Sequence, residues 1–311
     1  MKHNAKITII LLLMFLVTQL LGIFVIQTYQ IAGNKLPYGM EPPAEIKANP
    51  SDLPFHIVIA FVFAIFLFFI LTRINAERFL RAWFFAVIVI ALGLSLNAIF
   101  LRVYPWQYLS IAVLLIAIPL GIFKIYKRNL LVHNITEILV YPGIAAVFVP
   151  ILGVLGIILL LLAISLYDIW AVWHSGFMQK MAKFQIDKLK IFTGFFIPYA
   201  SKEQKQKIKL VRDKYEKKGE KILNMQFEKR KIKVNLAILG GGDVIFPIIT
   251  AGIFLRYYGI FAALLITAAA SIGLLYLFVA AEKRKFYPAM PYLTIAMYVA
   301  MIIIWLLEIV V

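Results

Sequence analysis

The feature that most constrains this chain is the recurrence of apolar runs of roughly 18 residues or more, each long enough to cross about 30 Å of hydrocarbon as a helix. The first run follows Lys2 and Lys6 and begins at Ile7, which resembles a secretory signal. It continues to Ile26 with no convincing small-residue cleavage site, so a retained first helix is expected. The whole pattern predicts nine spans, at about 7–28, 54–72, 82–101, 106–123, 134–150, 152–173, 234–254, 258–280 and 289–310. Between Thr136 and Trp173 the run is nearly unbroken and too long for one crossing, and Pro150 and Gly153 mark the turn. A chain of 311 residues that is 63% hydrophobic and only 15% charged fits no soluble class. The expected fold class is therefore an all-α polytopic membrane protein with nine transmembrane helices.

Charge orients the spans. With the N-terminus on the cytoplasmic side, the outer surface holds only Lys35, Lys47, Arg102 and Arg256, and every other Lys and Arg of the 32 falls inside. The bias persists when the long basic segment is set aside. An odd number of spans then leaves the C-terminus outside. The net charge of +17 reads as a topology signal and a preference for the lipid bilayer, not as a nucleic-acid interface.

The chain divides into an N-terminal six-span part at 1–173, a basic cytoplasmic segment at 174–233 and a C-terminal three-span part at 234–311. In the basic segment, Ser201–Gln204 reads "SKEQ", a helix-start capping box, and interleaved apolar residues predict amphipathic helices on the inner leaflet. Residues 30–53 carry Pro37, Pro42, Pro43 and Pro50 and read as an extended outer loop. Gly153 and Gly156 read as close helix packing, and His174 and Trp173 as interface residues.

Function classes are narrowed by what is missing and by where the acids fall. There is no cysteine, which excludes thiol nucleophiles and Cys-based metal sites, and the four histidines form no H-E-x-x-H pair. Gly93-x-Ser95 could hint at a membrane serine protease, but no histidine lies deep in a later span to serve it. Glu137 and Glu308 lie near span ends and are expected at the interface. Asp168 in "AISLYDIW" and Asp243 in "LGGGDVIFP" sit deeper, where an isolated acid costs a few kcal/mol, so both should face protein or water. Counted from the inner span ends they lie roughly 8 and 14 Å deep, equal within the error of the boundaries. Neighbouring spans could bring them together.

The sequence around Asp243 supports a loosened backbone. Gly240, Gly241 and Gly242 weaken a helix and admit a close neighbour. Pro247 removes the amide that would bond to the Asp243 carbonyl. Irregular backbone at membrane depth is tolerated beside a wet cavity. Two nearby carboxylates there do not both ionise easily, so one keeps a proton while the other acts as base. That suits aspartyl proteolysis, in which the base activates a water and the acid protonates the carbonyl oxygen. On the residues alone, a proton- or ion-coupled transporter that uses the same two acids stands level with it.

Three motifs in order carry a resemblance. Tyr167–Asp168 in the sixth span, Gly240–Gly241–Gly242–Asp243 in the seventh and Pro288–Ala289–Met290–Pro291 at the start of the ninth resemble the YD, GxGD and PAL motifs of the presenilin and signal peptide peptidase family. Met290 stands where that family usually has Leu. The resemblance implies an intramembrane aspartyl endopeptidase with Asp168 and Asp243 as its catalytic pair. Tyr167, Gly240, Gly241 and Gly242 would flank and shape the site, and Pro288, Ala289, Met290 and Pro291 would shape it and help bind unwound substrate. It implies no cofactor and no metal, transmembrane proteins or peptides as substrates, and leaves the oligomeric state open. The orientation resembles that of presenilin. The absence of a long polar N-terminal extension leads us to expect a minimal, microbial form, such as an archaeal one. A prepilin-peptidase-like enzyme also uses a G-x-G-D acid, but the PAL-like cluster and the position of Tyr167–Asp168 argue against it.

Overall fold

The structure is a computed structural model that describes residues 5–40, 59, 63, 66–67, 70, 77–127, 129–174, 193–199, 210–211, 235–281 and 287–310. Its helices are α1 (Ala5–Ile26), α2 (Glu77–Val103), α3 (Leu109–Tyr126), α4 (Leu130–Phe148), α5 (Val154–Ile169), α6 (Gly241–Ala280) and α7 (Met290–Val310). A wide π-helical turn extends α1 over Gln27–Ile31, and another extends α5 over Trp170–His174. Two strands, β1 (Gly194–Tyr199) and β2 (Asn235–Gly240), pair into a two-stranded sheet. The described residues are mostly helical, as expected, with this short sheet as an addition.

Local chemistry sets several helix ends. Asn129 caps α4 by accepting the amide of Leu131 at 2.9 Å. The turn between α4 and α5 falls where Pro150 and Gly153 place it, and Gly153 is the N-cap of α5. A side chain at Gly153 would meet nothing, so that glycine serves the turn and not helix packing as expected.

Seven helices among the described residues are long and apolar enough to cross a membrane. Nine are not seen. The expected seventh and eighth spans fall in the single 40-residue α6, which is broken at Gly259, where φ is 82°. Only glycine adopts that backbone without strain. Of the expected second span, only Ile59, Phe63, Phe66, Leu67 and Ile70 are described; they are helical and exposed. The seventh span was expected from residue 234, but Asn235–Gly240 is strand and the helix starts at Gly241. Only Gly240 of the three glycines lies in the strand, and the pairing partner at Gly194–Tyr199 decides the segment.

The described chain forms two compact units, Met1–Phe195 with Gly240–Val311, and Phe196–Leu239. In the first, α1 packs on α4 and α6, α2 on α3 and α4, and α7 on α5 and α6. Small residues permit the closest approaches: a Cβ at Gly143 in α4 would overlap the backbone of Ala91 in α2, and one at Gly252 in α6 would press on Val149 at 2.8 Å. The outward faces are as apolar as the interior, with Leu155, Leu162, Leu166, Ile295, Ile302 and Trp305 all exposed. That pattern suits lipid and not water. The chain is a multi-pass membrane protein. The second unit contains Phe196–Tyr199 and Asn235–Leu239 of the sheet, and Leu210 and Val211 between them are helical. The capping box at Ser201–Gln204 and most of the expected amphipathic helices lie outside the described residues.

Candidate active site

Asp168 is the penultimate residue of α5, is 5% exposed, and points at the start of α7. Its Oδ2 accepts the amide of Met290 at 3.1 Å, and the amide of Ala289 is directed at the same carboxylate without reaching strict hydrogen-bond geometry. The first amides of a helix have no partner inside it, and a carboxylate there is favoured by the helix dipole. Pro288–Ala289–Met290–Pro291 suits this role by arithmetic of donors: the two prolines have no N–H, so the tetrapeptide offers two amides, of which that of Met290 bonds Asp168 and that of Ala289 is directed at it. Met290 contributes its backbone to the acid, which explains why Met can stand where Leu was expected; its side chain is buried.

Two further bonds hold α5 against α7 in an antiparallel register. Ser165 donates to the Thr294 hydroxyl at 2.7 Å, and Tyr298 donates to the carbonyl of Ile158 at 2.6 Å. Positions 290, 294 and 298 recur once per turn on one face of α7 and descend α5 from 168 through 165 to 158.

Asp243 is held differently. Gly240 is the N-cap of α6 and Asp243 its third residue, and the carboxylate turns back toward the amide of Gly240. This is capping-box geometry with an aspartate. A Cβ on Gly240 would sit 3.1 Å from Oδ2 of Asp243 and crowd it. Gly241 donates its amide to the carbonyl of Thr193 at 3.3 Å, and a Cβ there would lie 3.0 Å from the Tyr141 hydroxyl. Gly242 is exposed, and a Cβ there would meet only the Phe246 ring, at 3.7 Å. Pro247 does lie inside the helix, four residues past Asp243. The next carbonyl along, that of Val244, accepts Nε2 of the buried Gln19 in α1 at 3.0 Å. Asp243 was expected about nine residues into its span; it lies in the first turn because the helix begins at Gly241.

Asp168 ends one helix and Asp243 begins another, in the same compact unit and within electrostatic reach of each other. Asp243 is half-buried. Tyr167 is half-buried beside Asp168, with its ring 6.4 Å from that of Trp170. Pro288 is buried, and Ala289 and Pro291 are half-buried. Among the described residues, no three His, Asp or Glu side chains converge to hold a metal.

One cluster escaped the sequence reading. Glu137 was expected at the interface, yet its side chain is fully buried and paired to Lys124, Nζ to Oε1 at 2.7 Å. His133 and Tyr141 lie one turn before and one turn after it on α4. The i, i+4, i+8 spacing of three polar residues in an apolar helix was the available signal.

Comparison with known proteins bears on this geometry. Residues 12–310 match the family described as signal-peptide peptidase, presenilin aspartyl protease. No curated protein matches. A solved structure of a presenilin family intramembrane aspartate protease, in space group P2, is similar with a TM-score of 0.58 at 17% identity, covering 96% of each chain. A second, in C222, has a TM-score of 0.53 at 16% identity and covers 95% of this chain and 99% of the other. At such identities the likeness concerns the fold.

Proposed function

Because the chain belongs to the signal-peptide peptidase and presenilin aspartyl protease family, we propose that Asp168 and Asp243 are the catalytic pair of an endopeptidase that hydrolyses peptide bonds within transmembrane helices. The observation that carries the reading is that backbone amides at helix starts face both acids, Met290 bonded to Asp168 at 3.1 Å and Gly240 turned toward Asp243, while Asp243 lies within reach of the Asp168 charge. Amides fix a carboxylate without introducing a competing acid or base.

One acid carries a proton and the other does not. The carboxylate takes a proton from a water lying between them, and the resulting hydroxide attacks the scissile carbonyl carbon. The carboxylic acid gives its proton to the carbonyl oxygen, so a neutral gem-diol forms. Collapse of the diol breaks the C–N bond as a proton passes to the amine. The substrate helix must unwind locally, since its peptide groups are otherwise hydrogen-bonded to one another. Tyr167 flanks the pair, and the Pro288–Pro291 turn shapes the place where unwound substrate lies. By the Lys and Arg bias, we assign the N-terminus and 174–233 to the cytoplasm, with the acids toward that side. A continuous α6 would be about 60 Å long, twice the hydrocarbon thickness. It therefore supplies two crossings that turn at Gly259, and with residues 54–72 the chain crosses nine times.

The test is cleavage of a transmembrane peptide by purified protein, read by mass spectrometry. Asp168→Asn and Asp243→Asn should each abolish product while the protein stays folded; full cleavage by either rules out the pair. A transporter would instead move protons or ions across liposomes and yield no peptide products.

A further inference from the structure

The mechanism leaves unused a buried ionic cluster on the far side of Gly241. Lys124 lies in the last turn of α3, and Glu137 lies mid-way along α4; their 2.7 Å ion pair is almost wholly out of solvent, at 2% and 0% side-chain exposure. A buried charge pair carries a large desolvation cost and is often no more stable than well-packed apolar residues. Its presence in an otherwise apolar bundle asks for a role beyond stability.

The neighbours of the pair lead step by step to Asp243. His133, one turn before Glu137, places Nε2 3.5 Å from the same Oε1 and 2.8 Å from the carbonyl oxygen of Gly194. A carbonyl only accepts, so Nε2 must carry the hydrogen that is donated to Gly194. Gly194 has φ of 149°, within the region that favours glycine. Tyr141, one turn after Glu137, directs its hydroxyl at the carboxylate without reaching strict hydrogen-bond geometry. The edge of its ring meets fully buried Phe195 at a centroid distance of 5.6 Å and an angle of 88°. Thr193–Gly194–Phe195 is thus gripped from α4 at two points. Thr193 in turn accepts the amide of Gly241, and the Tyr141 hydroxyl stands where a Cβ on Gly241 would come within 3.0 Å of it. Gly241 is the first residue of the helix whose third residue is Asp243.

We infer that Lys124, Glu137 and His133, with Tyr141, form a positioning cluster that clamps Thr193–Phe195 against the first turn of α6 and thereby sets the place of Asp243. The inference rests on the reading of Asp243 as catalytic. None of the four touches the reacting atoms. The ion pair fixes the carboxylate, the carboxylate and the Gly194 carbonyl together fix the imidazole, and the strand start so held supplies the acceptor for Gly241. A loosened clamp displaces a catalytic acid by a fraction of an ångström, which lowers turnover more than binding.

The experiment uses the full chain in liposomes with a transmembrane peptide substrate. Active sites are counted with a peptide mimic that carries a hydroxyl at the scissile carbon. His133→Phe removes the donor to Gly194; His133→Gln retains one. Expected is a fall in kcat per counted site of about 10- to 100-fold for His133→Phe, with KM changed less than about twofold. His133→Gln should recover most of the loss, and Glu137→Gln should resemble His133→Phe. A merely structural role would reduce the number of countable sites and leave turnover per site unchanged; that result overturns the inference, as does an equal loss in both His133 variants. Should Glu137→Gln not fold, the His133 pair decides alone. Asp243→Asn runs alongside: cleavage by that variant would sink the catalytic reading itself, which keeps the two failures apart.

Discussion

Replacing Asp168 by Asn and by Ala separates its structural role from its chemical one. In the wild type its buried carboxylate accepts the amide of Met290 at the start of α7, with the amide of Ala289 directed at it. Asn keeps an oxygen with two lone pairs in nearly the same place, so the Met290 amide retains its acceptor. Ala removes it, and each buried amide left without a partner costs about 1–3 kcal/mol. Some water will enter the space, so the loss should come to about 1–3 kcal/mol relative to Asn. The bond between Ser165 and Thr294 one turn away keeps the helices together and confines the damage to the helix start. The assay is reversible unfolding in mixed micelles, with peptide cleavage measured in parallel. Both variants should be inactive, and Ala should unfold well before Asn. Equal stability of the two, within about 0.5 kcal/mol, would mean that the α7 amides do not depend on this side chain, and the donor argument for the PAL-like turn would fail.

Two other outcomes follow from the same geometry. Met290→Leu should be nearly silent, because residue 290 serves the acid through its backbone, whereas Met290→Pro should lower kcat about 10-fold or more by deleting one charge-assisted bond; proline is well tolerated at a first helical position, so circular dichroism should report an intact helix content. In the segment after α1, burial raises the Tyr38 phenol from 10.0 to about 12. A group whose pKa is raised on folding contributes fully below its unfolded pKa and loses that contribution as pH rises through the folded value. Unfolding stability should therefore drop between about pH 10 and 12, and the drop should be shallower in Tyr38→Phe.

Much of this was legible in the sequence because the membrane imposes length and hydropathy on its spans. The turn at Pro150–Gly153, the start of α7 near residue 290 and the location of Asp168 near the end of α5 all follow from local signals. What sequence could not supply was partnership across the chain. Asn235–Leu239 is apolar enough to pass for the start of a span, and only pairing with a strand some forty residues earlier makes it β-structure. The glycines were read as a weakness within a helix; they are instead the end of a strand and the first turn of a helix, with Gly240 leaving room for the Asp243 carboxylate and Gly241 for the Tyr141 hydroxyl. Glu137 was misjudged for a related reason: depth along a helix says nothing of whether a lysine on the neighbouring helix waits opposite, and Lys124, counted as an orienting surface charge, is buried at 6% exposure. The two amides flanked by prolines were present in the sequence as composition, but their common target is a tertiary fact.

The central claim is that the side chains at 168 and 243 meet across α5 and α6, and the chain's lack of cysteine allows a direct measurement. A variant with both Asp168→Cys and Asp243→Cys would carry the protein's only thiols. It is treated with an oxidant or a short bifunctional thiol reagent, cut by trypsin within the lysine-rich 174–233 segment, and run on a gel without reductant. The account predicts that the two fragments remain joined and separate on reduction, or stay joined through the reagent's spacer. Fragments that come apart, although each cysteine alone reacts with a monofunctional reagent, would contradict it.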